Sequence, residues 1–397
     1  MTDDLESFRF VTSADVYVGE HKAAVLDRGE RGTVNFAYLP DYLARVDARP
    51  VATTLPLGGE RITTSGGALP AFFTGLLPEG RRLSALQRSL KTSADDELSL
   101  LLAVGEDTPG DVRVVRTGAP AGNASALVDL AADDVDFGTI TGVIDRYALP
   151  GVQEKVSASR LTLPVRSDAG HFILKLAPLQ DLPNIVANEA AHLRAAAELR
   201  LPVASARIVD DVGGRSGLLV RRFDRLLEGD RWIRLAVEDA TQVMDLPPAD
   251  KYRPAAEQVA VALAEPCRAP MVALRALYLQ FVFAWLVGNG DLHAKNLSIL
   301  RAPNGVWSVA PIYDVLCTLP YGDNSMALPV DGATRRLRAR HWLAFAETIG
   351  LPRRAAESAH RVALRAASGV DLAAQGFAGS PLRGAQRELR LRRAELS

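Results

Sequence analysis

Residues 272 to 287 are the nearest this 397-residue chain comes to an uninterrupted apolar span, and a polar loop bracketed by glycine follows directly. Only Arg275 and Gln280 interrupt the apolar character of Val272 to Val287. That run is too long for a strand and apolar on every face, so it predicts a helix buried in a large core. The chain then continues as Gly288-Asn289-Gly290-Asp291-Leu292-His293-Ala294-Lys295-Asn296, and Leu297-Ser298-Ile299-Leu300 has the composition of a strand. A polar loop is thereby placed between a core helix and a strand.

Within that loop Asp291 and Asn296 stand at the D-x-x-x-x-N spacing of a kinase catalytic loop. Phosphoryl transfer needs a carboxylate to orient the attacking hydroxyl and a neutral oxygen ligand for the metal that bridges the phosphates. Alone, an Asp and an Asn five residues apart in a glycine-containing loop are ordinary turn chemistry. The following residues alter that reading. Pro303-Asn304-Gly305 is a turn, and Val306 to Tyr313 is a second β-run ending at Asp314, so a hairpin is predicted to return Asp314 toward the loop. Asn296 and Asp314 together then form a candidate magnesium site.

Lys175 lies inside the apolar run Phe172-Ile173-Leu174-Lys175-Leu176, where a charge is costly unless it is paired. Strands are predicted for Arg160 to Val165 and His171 to Leu176, then a helix from about Pro183 to Leu199 that carries Glu189, the natural partner of Lys175. A half-exposed strand lysine is the ordinary alternative. The order Lys, Glu, Asp, Asn, Asp along the chain favours a kinase arrangement. The sequence contains no G-x-x-x-x-G-K-[ST] and no G-x-G-x-x-G after a strand, so any phosphate loop is atypical. The candidate is Gly151-Val152-Gln153-Glu154-Lys155, whose backbone N–H groups and Lys155 would meet phosphates.

Composition sets the frame. The 46 Lys and Arg nearly cancel the 47 Asp and Glu, so no global field draws the chain to nucleic acid, membrane or acidic substrates. Cys267 and Cys317 are far apart and have no metal-site spacing, which argues against a structural zinc site or a disulfide framework and fits a reducing cytoplasm. The acidic start Met1-Thr2-Asp3-Asp4-Leu5-Glu6 has no apolar signal core, and no membrane span is expected. A small α+β unit is expected over residues 1–120 and a connector over 121–136, where small and acidic residues concentrate. A nucleotide lobe follows over 137–254, containing a hairpin of Ala206 to Val209 and Gly217 to Val220, then a helical lobe over 255–397. Basic clusters at Arg335, Arg336, Arg338 and Arg340 and at Arg390, Arg392 and Arg393 are expected as solvated helix faces, with contact to a DNA backbone as the alternative.

In chain order, Gly75-Leu76-Leu77-Pro78-Glu79-Gly80, Gly151 to Lys155, His171 to Lys175, Val220-Arg221-Arg222-Phe223-Asp224-Arg225, Glu238 to Gln242, Lys251-Tyr252, Gly288 to Asn296 and Tyr313-Asp314 resemble the HipA family of bacterial toxin kinases over nearly the whole chain. The resemblance implies an α+β, protein-kinase-like bilobal fold with an appended N-terminal unit. It implies ATP and Mg2+ as cofactors, Asp291 as the catalytic residue, and Asn296 with Asp314 as metal ligands. Lys175 would contact the phosphates, with Glu189 as its partner and His293 and Lys295 in the nucleotide-contacting set. Arg221, Arg222 and Phe223 would be the hinge against adenine. It further implies a Ser or Thr of a protein as acceptor, in some members an aminoacyl-tRNA ligase such as the one for glutamate, and growth arrest as the consequence. A helix-turn-helix antitoxin of the HipB kind would be the partner, with DNA reached mainly through it.

One departure stands out: the family's self-phosphorylated serine, three residues before the loop glycine, is matched here by Ala148. Self-inactivation by that route is therefore not expected, and Ser157 and Ser159 are ordinary surface composition. A small-molecule phosphotransferase shares the same catalytic residues, and a silent antitoxin-binding protein would need none of them. A hydrolase lacks a serine nucleophile motif to go with His293.

Overall fold

Alternation at period two builds the first sheet. In Val34-Asn35-Phe36-Ala37-Tyr38 the residues Val34, Phe36 and Tyr38 turn into the core and Asn35 and Ala37 do not. The computed structural model of the chain describes residues 6–121, 128–129, 136–137, 161–167, 170–177 and 182–397. The loop Gly151 to Lys155, with Ala148, Ser157 and Ser159, lies outside the described residues. The N-terminal sheet runs in the order Ile62–Thr64, Val34–Tyr38, His21–Arg28, Ser13–Val18, Val112–Arg116, every neighbouring pair antiparallel. Val16, Leu26, Phe36, Phe73 and Leu101 pack into a hydrophobic core belonging to this sheet.

The second sheet has the order Val128–Asp129, Leu161–Ser167, Gly170–Leu176, Ser216–Arg221, Ala206–Asp210. Leu161–Ser167 and Gly170–Leu176 are an antiparallel pair, and so are Ala206–Asp210 and Ser216–Arg221, as expected of a hairpin. Leu163, Leu174 and Leu219 close a small core on one face. The helix Ile185–Ala196, continued as a 3-10 turn to Leu199, packs against this sheet and carries the buried Glu189.

The apolar run becomes the helix Pro270–Val287, with Pro270 in its first turn, where a missing N–H costs nothing. By length and composition that helix is able to cross a membrane. Here it is the axis of the helical lobe, packed against Arg353–Ser368 and Ala256–Ala264 and walled by Trp342, Phe345 and His360 around Tyr278. It stops at Gly288, whose φ is +75°; a Cβ there would lie 2.7 Å from Leu319. A third, small sheet pairs Val237–Asp239 with Ser298–Arg301 and that strand with Trp307–Val309. Val237–Asp239 and Trp307–Val309 thereby give the strand after the loop a partner on each edge.

The basic end of the chain differs from the solvated face expected for it. Arg392, on the helix Gly379–Leu396, is 3 % exposed; its guanidinium stacks 3.6 Å from the Trp285 ring centroid and donates to the carbonyl of Asn324 at 2.7 Å. Arg335, Arg336, Arg338 and Arg340 are exposed or nearly so, as expected.

Among the buried polar links that fasten the N-terminal unit to the body, two involve carboxylates of the body. Arg222 donates to Asp107 at 2.8 Å and to Asp224 at 2.8 Å, Arg225 donates to Asp224 at 2.6 Å and to Gly110 O at 2.9 Å, and the Gly110 N–H donates to Asp224 at 2.8 Å. Burial pushes the Asp224 carboxyl up, but Arg222 and Arg225 outweigh it and hold the group below the usual carboxylate range. Second, Glu238 accepts from Thr53 N at 2.9 Å and from Thr53 Oγ1 at 2.6 Å. Burial pushes Glu238 up to about 7 despite the two Thr53 donors, with Asp239 adding to the rise.

Asp224→Ala leaves two buried guanidinium groups short of an anion and is expected to cost about 3–5 kcal/mol in urea unfolding; a loss below about 1 kcal/mol would show that the cluster is not what fastens the unit. Glu238 behaves in the opposite sense. Its folded value lies above the ordinary 4.5, so the stability it adds is complete below pH 4.5 and is lost as pH rises through about 7. Glu238→Gln is therefore expected to gain on the wild type in urea unfolding between about pH 5 and about pH 8. A difference that stays flat or falls contradicts the assignment.

Candidate active site

Lys175 sits on the strand Gly170–Leu176 with its side chain turned off the sheet into the gap below. Its Nζ donates to Glu189 Oε1 at 2.8 Å and to Asp314 Oδ1 at 2.9 Å. Glu189 is fully buried and Lys175 nearly so, which makes this a desolvated triad joining strand, helix and hairpin end. Asp314 has a φ of +56°, the left-handed region where Asp is among the few tolerated side chains.

The loop is held by its own backbone. The Gly290 N–H donates to Thr318 Oγ1 at 2.9 Å, the Asp291 N–H to Asn289 Oδ1 at 3.0 Å, and the His293 N–H to Asp291 O at 2.8 Å. Asn296 Nδ2 donates to Asp291 O at 2.9 Å, which sets its side-chain carbonyl facing away from that bond. Tyr252 OH donates to Asp291 Oδ1 at 3.3 Å, and the Ala294 N–H to Lys251 O at 3.0 Å. Tyr313 OH donates to Lys295 O at 2.8 Å, so the hairpin that ends at Asp314 is tied to the loop as its turn signal predicts. Burial pulls the His293 imidazole down to about 4, with Lys251 adding to the effect, so the ring is neutral at pH 7.

Lys295 reaches across to the N-terminal unit, donating to Gly75 O at 2.8 Å, with Asp239 Oδ2 at 3.4 Å. Lys251 pairs with Glu79 Oε2 at 2.6 Å. A cavity of about 300 Å3 opens beside this cluster, lined by Lys175, Lys295, Ile173, Val220, Phe223 and Tyr313 among others. Asp291, Asn296 and Asp314 lie outside its lining; Lys175, bonded to Asp314, and Lys295, next to Asn296, are where the cavity meets them. Among the described residues no group of three or more His, Cys, Asp and Glu side chains could hold a metal ion. The amide oxygen of Asn296 and the carboxylate of Asp314 are hard oxygen donors that suit a magnesium ion keeping waters and phosphate oxygens as its other ligands.

Arg221, Arg222 and Phe223 all line the cavity, but the Arg222 side chain is spent on Asp107 and Asp224 and its backbone N–H donates to His171 O at 3.0 Å, so neither is left for a ligand. Sequence reasoning missed Asn188, which is fully buried and grips Cys317 through both carbonyl and N–H at 2.9 Å each. That grip fixes the helix carrying Glu189 against the segment carrying Asp314. It also missed the contact of Asp239 to Lys295, although Asp239 stands in the quoted motif Glu238 to Gln242; Asn188 has no spacing signal that could have revealed it.

Residues 14–115 match the HipA N-terminal domain and residues 147–370 the HipA-like C-terminal domain. The chain is 30% identical to the inferred kinase Y4mE of Sinorhizobium fredii over 81% of its own length and 82% of that protein's. It is 28% identical to the serine/threonine-protein kinase toxin HipA of Shewanella oneidensis over 77% of its own length and 76% of that protein's. The solved complex of Shewanella oneidensis HipA with HipB and its operator DNA contains a chain that superposes with a TM-score of 0.76 at 22% identity, covering 96% of each. The fold is thus the α+β, kinase-like one with an appended N-terminal unit.

Lys175→Met strands Glu189 without a counter-charge and is expected to destabilise the fold by about 3–5 kcal/mol. In a double-mutant cycle with Glu189→Gln the two losses should fall short of additivity by about 1–3 kcal/mol. Additive losses in denaturant unfolding would mean that the pair is not coupled.

Proposed function

The chain belongs to the HipA family, and from that membership we propose that it is a kinase transferring the γ-phosphate of ATP to a serine or threonine hydroxyl of another protein. The observation that carries the reading is the Lys175, Glu189 and Asp314 triad standing beside a pre-formed loop that presents Asp291 and Asn296. Ile173, Val220 and Phe223 offer an apolar wall for adenine, and the backbone of Arg221 to Phe223 is the hinge. Lys175, aimed by Glu189, meets phosphate oxygens at the inner end of the cavity. Gly151 to Lys155 are proposed as the phosphate loop, and His293 and Lys295 complete the nucleotide-contacting set.

Asp291 orients the acceptor hydroxyl and takes its proton as the new P–O bond forms. The Tyr252 hydroxyl, donating to the same carboxylate, fixes its direction. Neutral His293 adds no positive charge that would weaken Asp291 as a base. Magnesium held by Asn296 and Asp314 would supply neutralisation of the charge on the phosphates.

From the family resemblance read in the sequence, the acceptor proposed is a cellular protein such as an aminoacyl-tRNA ligase, whose modification would inhibit growth. The same resemblance gives a HipB-like helix-turn-helix antitoxin as partner, operator DNA contacted mainly through it, and the cytoplasm as the place of action.

The test is labelling of a cell extract with radioactive ATP and magnesium by wild type, Asp291→Asn and Asp314→Asn. A discrete labelled band, reduced at least about 100-fold by either substitution, is expected. Wild type that binds no nucleotide and labels nothing would instead mark a silent antitoxin-binding protein.

A further inference from the structure

Arg82 lies on the first turn of the helix Gly80–Leu90, in the N-terminal unit, yet it lines the same cavity as Lys175 and Lys295. We propose that Arg82 binds the phosphates of the nucleotide, so that the N-terminal unit supplies part of the nucleotide site. The inference rests on the kinase reading above and adds a residue to that site.

Five cations line the cavity, and four of them are accounted for. Lys175 is held by Glu189 and Asp314, Lys295 by Gly75 O and Asp239, and Arg222 by Asp107 and Asp224. Arg221 is exposed to water. Arg82 is partly buried and makes no hydrogen bond or ion pair among the described residues. The carboxylate that acts on it most is Asp107, whose Oδ1 is already taken by Arg222 and Arg225. Burial lowers the Arg82 guanidinium below its ordinary value, Asp107 working against the fall and Arg222 with it.

A guanidinium partly withdrawn from water and without an anion is unfavourable for the empty protein. It becomes favourable when a ligand brings the anion, and a forked donor suits phosphate. The placement agrees with this. The helix of Arg82 packs against Leu161–Ser167, and Thr162 and Pro164 of that strand line the same cavity. An arginine kept for structure would stand beside a carboxylate of its own, as Arg222 does.

The experiment is calorimetric titration of the full chain and of Arg82→Met with MgATP and with adenosine, alongside thermal melts of the ligand-free proteins. Expected are a loss of MgATP affinity of at least about ten-fold, unchanged adenosine affinity, and a melting temperature equal to or above that of wild type. Arg82→Lys, which keeps the charge but not the fork, should fall between the two. Unchanged MgATP affinity in Arg82→Met overturns the proposal alone, as does an equal loss for adenosine, which would mean a distorted cavity. A raised KM for the protein acceptor with MgATP binding intact assigns Arg82 to an acidic group of that acceptor and also overturns it. Wild type that binds neither ligand removes the kinase reading and this inference together.

Discussion

A single buried ammonium group holds three distant stretches of the chain in register. Lys175 comes from a strand, Glu189 from the helix after it and Asp314 from the end of a hairpin 139 residues further on, and each lies within 3 Å of the next through Nζ. Desolvating three charges is costly, and their mutual attraction offsets the cost only when the geometry is tight. The surroundings therefore have to be stiff. Asn188, one residue before Glu189, supplies that stiffness by taking both the N–H and the carbonyl of Cys317. Asp314 accepts a left-handed backbone to keep its carboxylate on the lysine. The nucleotide lobe and the helical lobe are thus joined at the point where phosphate and metal would be handled.

The N-terminal unit belongs to this arrangement. Its Gly75 and Glu79 hold the two lysines that flank the loop, Lys295 and Lys251, while its Asp107 takes part in the ionic cluster behind the hinge. One set of contacts acts on the loop beside Asn296, the other on the segment that would face adenine. The cavity lies between them, with Gly75 to Pro78 and Thr108 and Pro109 in its wall.

Which parts were legible in the sequence follows from how local their physics is. Lys175 betrayed itself because a charge in an apolar run demands a partner, and Glu189 stood on the next helix. The loop was legible because its spacing is fixed by chemistry, and Asp314 because a hairpin must return. Asn188, Thr318 and the Asp239 contact were not, since each depends on a residue that is close in space and far in sequence. Arg392 misled for the same reason: helical periodicity shows a basic face but not the Trp285 ring that covers it. The strand Val237–Asp239 likewise leaves no mark of which lobe it will complete.

The loop itself is settled before any ligand arrives. Its backbone donors are taken up by Thr318, Asn289 and the carbonyls of Asp291, Lys251 and His293, and the Asn296 amide is turned by Asp291 O. Gly290 permits this closeness, because a Cβ there would meet Thr318 Oγ1 at 2.6 Å and Asp323 at 2.8 Å. Preorganisation of this kind spares the reaction the work of ordering its own base. Among the described residues, what is left without a partner around the loop is the buried Nδ2 of Asn289 and Nδ1 of His293, while Arg82 makes no ion pair and the lysines lean on carboxylates. Binding of a polyphosphate should therefore act mainly by redistributing these charges, moving Lys175 and Lys295 from carboxylate toward phosphate and freeing Asp314 for metal, while Asp291 stays where the loop has placed it.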